Sequence, residues 1–310
     1  MAGITDAPMR RFAERFGAGW VVSEMIASNA LATGHDEMVR KLRKSGSLPH
    51  VVQIAGCEMQ WMRRGAEIAR EAGADIIDIN MGCPAKRVTN GYAGSALMRV
   101  PDEAIRLVET VVAAAAVPVT VKMRLGWDED SLNAAELARR AVDAGAQMIT
   151  VHARTRQQFY KGEARWQLVR PVVESVTVPV VVNGDIVDVA TAREALRQSG
   201  AAAVMIGRGA QGQPWLVGRV GAELTGLEPA APPEGDALAE LVAEHYEAML
   251  LEYGTRVGVR AARKHLDWYL EALGRPVDRD SRKVLLAAED PGAVLALIPA
   301  LYGAQWRAAA

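Results

Sequence analysis

Short apolar runs rich in β-branched residues recur along the chain and alternate with segments of helical periodicity. The runs predict strands at Trp20–Met25, His50–Ala55, Ile76–Asn80, Val119–Met123, Met148–His152, Val180–Asn183 and Ala203–Ile206. Four of them are preceded by the same punctuation: Gly17-Ala18, Gly73-Ala74, Gly145-Ala146 and Gly200-Ala201. Glycine there suits the left-handed position that ends a helix. Two more follow Val117-Pro118 and Val178-Pro179, where proline stops the preceding helix and permits an extended start. Between strands, Ala134, Leu137, Ala138, Ala141 and Val142 repeat at i, i+3, i+4, i+7 and i+8, the spacing of one helix face.

Nearly continuous apolar strands separated by helices imply a parallel sheet buried on both faces. Polar residues and glycines collect at the strands' C-terminal ends, which favours a (β/α)8 TIM barrel over an open sheet. One strand is missing from the chain. Met1-Ala2-Gly3-Ile4-Thr5-Asp6 reads as the loop after a first strand, through either a start codon placed too late or a truncation. Near Gly226–Gly235 the composition turns to proline and glycine, the mark of a linker. Beyond it the chain reads as three or four helices, including Leu238–Leu251, Val259–Leu273 and Val294–Tyr302. The expected organisation is a barrel domain over residues 1–228 and an all-helical domain over 236–310.

Composition narrows the class. The chain has 310 residues, 50% hydrophobic and 24% charged, as in an ordinary soluble globular protein. A net charge of -1 argues against a generally basic nucleic-acid coat but leaves room for a local basic face. Two cysteines, Cys57 and Cys83, make no disulfide framework and fit a reducing compartment. The absence of C-x-x-C and H-E-x-x-H pairs argues against a zinc site. No secretory leader and no 18-residue apolar run is seen, so the expectation is a cytoplasmic protein without a membrane segment or metal.

The run Ile76-Ile77-Asp78-Ile79-Asn80-Met81-Gly82-Cys83-Pro84 carries the most chemistry. A buried strand stops abruptly and presents a thiol at its tip, ahead of a loop with Gly91 and Gly94. Free cysteines are often inert core fillers, and reactivity depends on exposure and pKa. The other strand ends add Glu24, Asn29, Gln53, Asn80, Lys122, Arg124, His152, Arg154, Arg156, Asn183-Gly184-Asp185 and Gly207-Arg208-Gly209. A lysine inside an apolar strand needs a partner, either a structural ion pair or a ligand. His152 alone reads as a satisfied core histidine, but its place among these cations points to a positive centre suited to a phosphate and an electron-rich ring.

Gly207-Arg208-Gly209-Ala210-Gln211-Gly212 matches G-x-G-x-x-G, yet no following strand ends in an acidic residue, so a dinucleotide fold is rejected. A monophosphate cradle in the last two strand loops fits better. Lys86, Arg87 and Lys161 decorate nearby loops. Arg256, Arg260, Arg263 and Lys264 share one helix face, although residues 236–310 hold nine basic against eleven acidic residues. Such stripes are usually solvated; beside a phosphate-binding barrel one could grip an RNA backbone.

These motifs resemble those of the tRNA-dihydrouridine synthases, in particular the bacterial B-type subgroup. The resemblance runs through nearly the whole chain. It rests on Met1–Asp6, Val52-Gln53-Ile54-Ala55-Gly56, Asp78–Pro84, Val119-Thr120-Val121-Lys122, Val151-His152-Ala153-Arg154-Thr155-Arg156, Asn183-Gly184-Asp185, Met205-Ile206-Gly207-Arg208 and Ala262-Arg263-Lys264-His265. The missing first strand is its one departure. The resemblance implies a flavin mononucleotide (FMN)-binding barrel, a helical tRNA-binding domain, and reduction of the uridine C5–C6 double bond in tRNA with NADPH as reductant. It implies Cys83 as proton donor, with Asn80 orienting the uracil and His152 and Arg154 stabilising charge on its carbonyl. Met1, Ala2, Gln53, Lys122, His152, Asn183, Gly184, Asp185, Gly207 and Arg208 are the implied cofactor contacts. Lys86, Arg87, Arg256, Arg260, Arg263 and Lys264 are the candidate RNA contacts; no obligate protein partner is evident. The competing readings are a small-molecule FMN ene-reductase of the dihydroorotate dehydrogenase type and a non-catalytic RNA-binding regulator on the same fold.

Overall fold

The computed structural model of the chain describes residues 3–303. It forms two compact units. One comprises the chain up to Asp6 together with Gly19–Gly209; the other comprises Ala7–Ala18 together with the chain from Ala210 onward.

The first unit is built on seven parallel strands in sequential order: β1 (Ile26–Ala27), β2 (Val51–Ala55), β3 (Ile76–Met81), β4 (Val119–Arg124), β5 (Met148–His152), β6 (Val180–Asn183) and β7 (Ala203–Met205). Helices at Met59–Glu71, Pro101–Ala115, Ala134–Asp143, Arg170–Ser175 and Val189–Ser199 fill the successive crossovers from β2 to β7. Sequential parallel strands with helical crossovers are the winding of a (β/α)8 barrel, with seven strands among the described residues. β2 is buried throughout, and β3 and β4 are buried at all but one position each. Burial on both faces explains why these runs are continuously apolar rather than alternating.

The punctuation holds. Gly17, Gly73, Gly145 and Gly200 have φ of 90°, 81°, 104° and 70°. The carbonyls of Pro118 and Pro179 accept from the Ile77 and Ile149 N–H groups, so each proline enters its sheet at a strand start and still serves the ladder.

The predicted strand Trp20–Met25 is not formed. Val22 makes an isolated bridge to Val51, and regular pairing begins only at Ile26 and Ala27. Side chains have taken the place of ladder partners between them. The Ser23 hydroxyl accepts the Gln53 N–H at 2.9 Å, and the Glu24 carboxylate accepts the Gly3 N–H at 2.6 Å.

The second unit consists of helices at Ala7–Arg15, Leu216–Leu224, Gly235–Tyr253, Thr255–Ala272, Arg279–Ala287 and Pro291–Tyr302. Its core includes Val242, Tyr246, Met249, Ala262, Leu266 and Ile298. Of the three or four helices expected beyond residue 236, four are present among the described residues, but the unit starts at Ala210 and takes in an early segment, so the expected division at 228 and 236 shifts. The reason is a close approach of distant backbones. A Cβ on Gly218 would lie 1.8 Å from the Phe16 carbonyl oxygen, so the helix Leu216–Leu224 packs through a glycine against the end of Ala7–Arg15. Among the described residues no helix is long and apolar enough to cross a membrane.

Candidate active site

Parallel pairing brings the polar strand ends into register. Gln53 lies opposite Asp78, Asn80 opposite Lys122, Arg124 opposite His152, and His152 opposite Asn183.

A buried carboxylate orders one side of this face. Asp78 accepts from Gln53 Nε2 at 2.7 Å and from Thr120 Oγ1 at 2.6 Å. An ionised carboxylate can only accept, so Gln53 must present its NH2 group to Asp78 and its oxygen to Asn80 Nδ2, at 2.8 Å. Asn80 Oδ1 then faces the N–H groups of Gly82, at 3.2 Å, and Cys83, at 2.9 Å. Burial pushes the Asp78 pKa up to about 6, against the opposing pull of Thr120 and Gln53. The Cys83 carbonyl is held in turn by the Ser95 N–H at 3.1 Å and hydroxyl at 2.9 Å. The half-buried thiol is therefore carried on a backbone fixed from both sides.

Cations form the other side. Lys122 Nζ donates to Asn183 Oδ1 at 3.2 Å, and Asn183 Nδ2 donates to the Met205 carbonyl at 2.8 Å. Burial, and then the nearby Arg124, lowers the Lys122 pKa to about 8. Arg124 is 1% exposed and donates to the carbonyls of Gly82, Thr155 and Phe159 at 2.8, 2.8 and 2.9 Å. Burial pushes its pKa down to about 10. Lys122 and Arg124 lie on β4, which pairs with the strand that leads into Cys83. His152 is held well below the usual imidazole range by burial and then by Lys122, Arg124 and Arg154. It is a neutral N–H donor at pH 7.

Arg154 is held by backbone and by a carboxylate. Its Nε and Nη2 donate to the carbonyls of Lys161 and Gly162, and both Nη atoms grip the Asp185 carboxylate. Arg154 is 1% exposed, and these bonds tie its guanidinium to the loops after β5 and β6. Asp185 also accepts from the Ala164 N–H at 2.8 Å and from Arg208 Nη2 at 3.3 Å. Burial opposes its ionisation, but Arg154 and the Ala164 N–H hold its pKa below the usual carboxylate value.

Two glycines bring the loops after β5, β6 and β7 together. Gly184 has φ +122°, and a Cβ there would lie 2.9 Å from Ala164 Cβ and 3.0 Å from His152 Cδ2. A Cβ on Gly209 would lie 2.3 Å from the Ile186 carbonyl oxygen. Gly207 is buried, and the half-exposed Arg208 reaches out from between them, with Tyr160 under its guanidinium at 4.9 Å.

The remaining candidates are spread more widely. Met1 and Ala2 lie outside the described residues, as does the side chain of Arg87. Lys86 is exposed at the start of the short helix Lys86–Thr89. Arg256 and Arg260 are exposed on Thr255–Ala272. Arg263 instead turns to the carbonyls of Ala287 and Ala288, both at 3.4 Å, and Lys264 lies over the Trp268 ring at 5.9 Å. Asp78 and Thr120 stand within the quoted sequence runs without an assigned role, and Ser95 and Tyr160 were not singled out there. A carboxylate between Ile77 and Ile79 in a buried strand was a usable signal for the first; the others depend on loop and register geometry.

A family model described as dihydrouridine synthase (Dus) matches residues 1–300 of the chain. A probable tRNA-dihydrouridine synthase of Rhodobacter capsulatus is 54% identical over 304 residues, covering 97% of this chain and 93% of its own length. One of Rhizobium leguminosarum bv. phaseoli is 50% identical, with 96% and 91% covered. The tRNA-dihydrouridine synthase B of Xanthomonas axonopodis pv. citri is 45% identical, with 96% and 89% covered.

Proposed function

The chain belongs to the dihydrouridine synthase family, and we propose that it reduces the C5–C6 double bond of uridines in tRNA, with FMN as cofactor and NADPH as the source of electrons. One observation supports the reading best: a thiol at a strand tip, its backbone fixed by Asn80 and Ser95, follows a strand paired with the one that carries Lys122 and Arg124.

The residues fit a flavin. Gly184 and Gly209 keep three loops close enough to wrap a phosphate, and Arg208 supplies a half-exposed charge beside them. Lys122 offers a half-buried ammonium whose hydrogen-bond partner, Asn183, is neutral. It would face the electron-rich edge of the ring system, while Gly184, Gly207 and Arg208 hold the phosphate. When bound, the flavin supplies the hydride-transfer chemistry.

The chain's own side chains do the rest. The target uridine must leave the tRNA stack to reach the strand ends. Cys83 holds the proton that C5 receives, acting as general acid. Lys122 and Arg124 supply positive charge on the strand paired with the one that leads into Cys83. His152 donates an N–H to a uracil carbonyl that gains electron density. Asn80 spends its oxygen on positioning Cys83 and keeps its second N–H for the base. Arg256, Arg260 and Lys86 offer exposed charge to the RNA backbone.

The test is nucleoside analysis of tRNA from a deletion strain carrying the wild-type chain or Cys83→Ala. Dihydrouridine should disappear at specific positions on deletion, and only the wild type should restore it. Full restoration by Cys83→Ala would reject the proton-donor assignment.

A further inference from the structure

Among the described residues, four that are not glycine hold a left-handed backbone: Tyr92, Ala116, Phe159 and Asp185. Three have a local reason. Ala116 ends the helix Pro101–Ala115 just ahead of Pro118. The Phe159 carbonyl is taken by Arg124, and the Asp185 carboxylate by Arg154. Tyr92 has φ 59° and a side chain 74% exposed, so packing does not offset the cost of this conformation. Glycine would adopt it freely, and the chain has glycine one position earlier. Strain of this kind, held at a reactive loop, points to a contact made with something else.

The loop that carries Tyr92 is tied down at several points. Cys57 Sγ donates to the Gly91 carbonyl at 3.0 Å. Arg156 Nη2 reaches Thr89 Oγ1 at 3.4 Å, and the Tyr92 N–H donates to the Thr89 carbonyl at 3.0 Å. At the far end, a Cβ on Gly94 would lie 2.8 Å from the Cys83 carbonyl oxygen, and Ser95 holds that same oxygen. Cys83 and Tyr92 are thus two ends of one braced span. Lys86, exposed on the same span, adds a positive charge.

We propose that Tyr92 is a stacking platform for the unpaired nucleotide next to the target uridine, holding the tRNA in place without entering the chemical step. The inference rests on tRNA being the substrate. Extracting one base leaves its neighbour with an uncovered face, and an exposed aromatic ring takes such a face whatever the base.

The experiment compares wild type, Tyr92→Phe and Tyr92→Gly, all loaded with flavin, for tRNA affinity by filter binding, for KM and kcat, and for thermal midpoint. Tyr92→Gly should bind tRNA about tenfold more weakly, with KM raised to match, kcat unchanged and no fall in the midpoint. Tyr92→Phe should match wild type, because the ring and not the hydroxyl makes the stack. Wild-type affinity in Tyr92→Gly, an equal loss in Tyr92→Phe, or a fall in kcat alone would overturn the proposal. Wild-type protein that binds tRNA but forms no dihydrouridine would overturn the enzymatic reading instead, and the affinity comparison would still decide the role of Tyr92.

Discussion

The side-chain oxygen of Asn80 accepts the backbone N–H of Cys83 at 2.9 Å, three residues away across the end of β3. The bond ties the thiol to a chain of buried amides ending at Asp78, so the position of the sulfur depends on Gln53 and Asp78 as well as on Asn80.

Removing that tie should slow chemistry without emptying the site. Asn80→Ala is expected to lower the single-turnover rate of reduced enzyme with tRNA by about 10²-fold, the size of effect expected from a misplaced reacting group. Flavin absorbance per mole of protein should stay near wild type. An unchanged rate would show that Ser95 alone fixes the Cys83 backbone.

Asp78 makes a prediction about pH. Its folded pKa, about 6, lies above the ordinary value of 3.8, so between these values the folded state binds more protons than the unfolded state. Stability from this group is therefore present at low pH and is lost as pH rises from about 4 to about 6, by roughly 3 kcal/mol at about 1.36 kcal/mol per pKa unit. Other carboxylates titrate in the same range, so the informative quantity is wild type minus Asp78→Asn in chemical denaturation at each pH. That difference should fall across the window and be flat above pH 7. A difference independent of pH would mean that Asp78 is not a buried titrating group.

The loop glycines should control cofactor retention. Gly184→Ala places a methyl group 3.0 Å from His152 Cδ2 at a φ of +122°, and Gly209→Ala drives one into the Ile186 carbonyl. Each should cost about 1–3 kcal/mol of stability and leave most of the purified protein without yellow absorbance. Normal flavin content in both variants would place the cofactor elsewhere.

Within the basic stripe, two kinds of arginine should separate. Alanine at Arg256 or Arg260 should weaken tRNA binding and reduce the salt slope of log K by about one each, leaving the denaturation midpoint unchanged. Arg263→Ala should instead lower stability by about 0.5–1 kcal/mol, because its guanidinium serves the carbonyls at the end of Arg279–Ala287. Equal effects from all three on binding alone would restore a uniform RNA-facing stripe.

The barrel was legible in the chain because its strands are buried on both faces, which makes them continuous apolar runs, and because left-handed glycines and two prolines mark where helices end. Six strands fall within a residue of where those signals put them. The seventh was misplaced because Ser23 and Glu24 bond through their side chains, a choice that apolar periodicity does not record. The separate helical unit was also visible. Its true extent was not, since a glycine contact between Gly218 and Phe16 joins segments about two hundred positions apart.

Residue type and position along the chain by themselves determined which groups stand at the strand ends: a thiol, an amide, a lysine, a histidine and several arginines. Only the tertiary structure decided what each can do there. Register put Asn80 beside Lys122, and loop closure delivered carbonyls and Asp185 to Arg154. Burial then removed the charge from His152 and left Lys122 as the cation facing a neutral partner. The physical reason is that desolvation and hydrogen-bond partnership arise from groups remote in sequence, while a strand's pattern records only its own apolar surface.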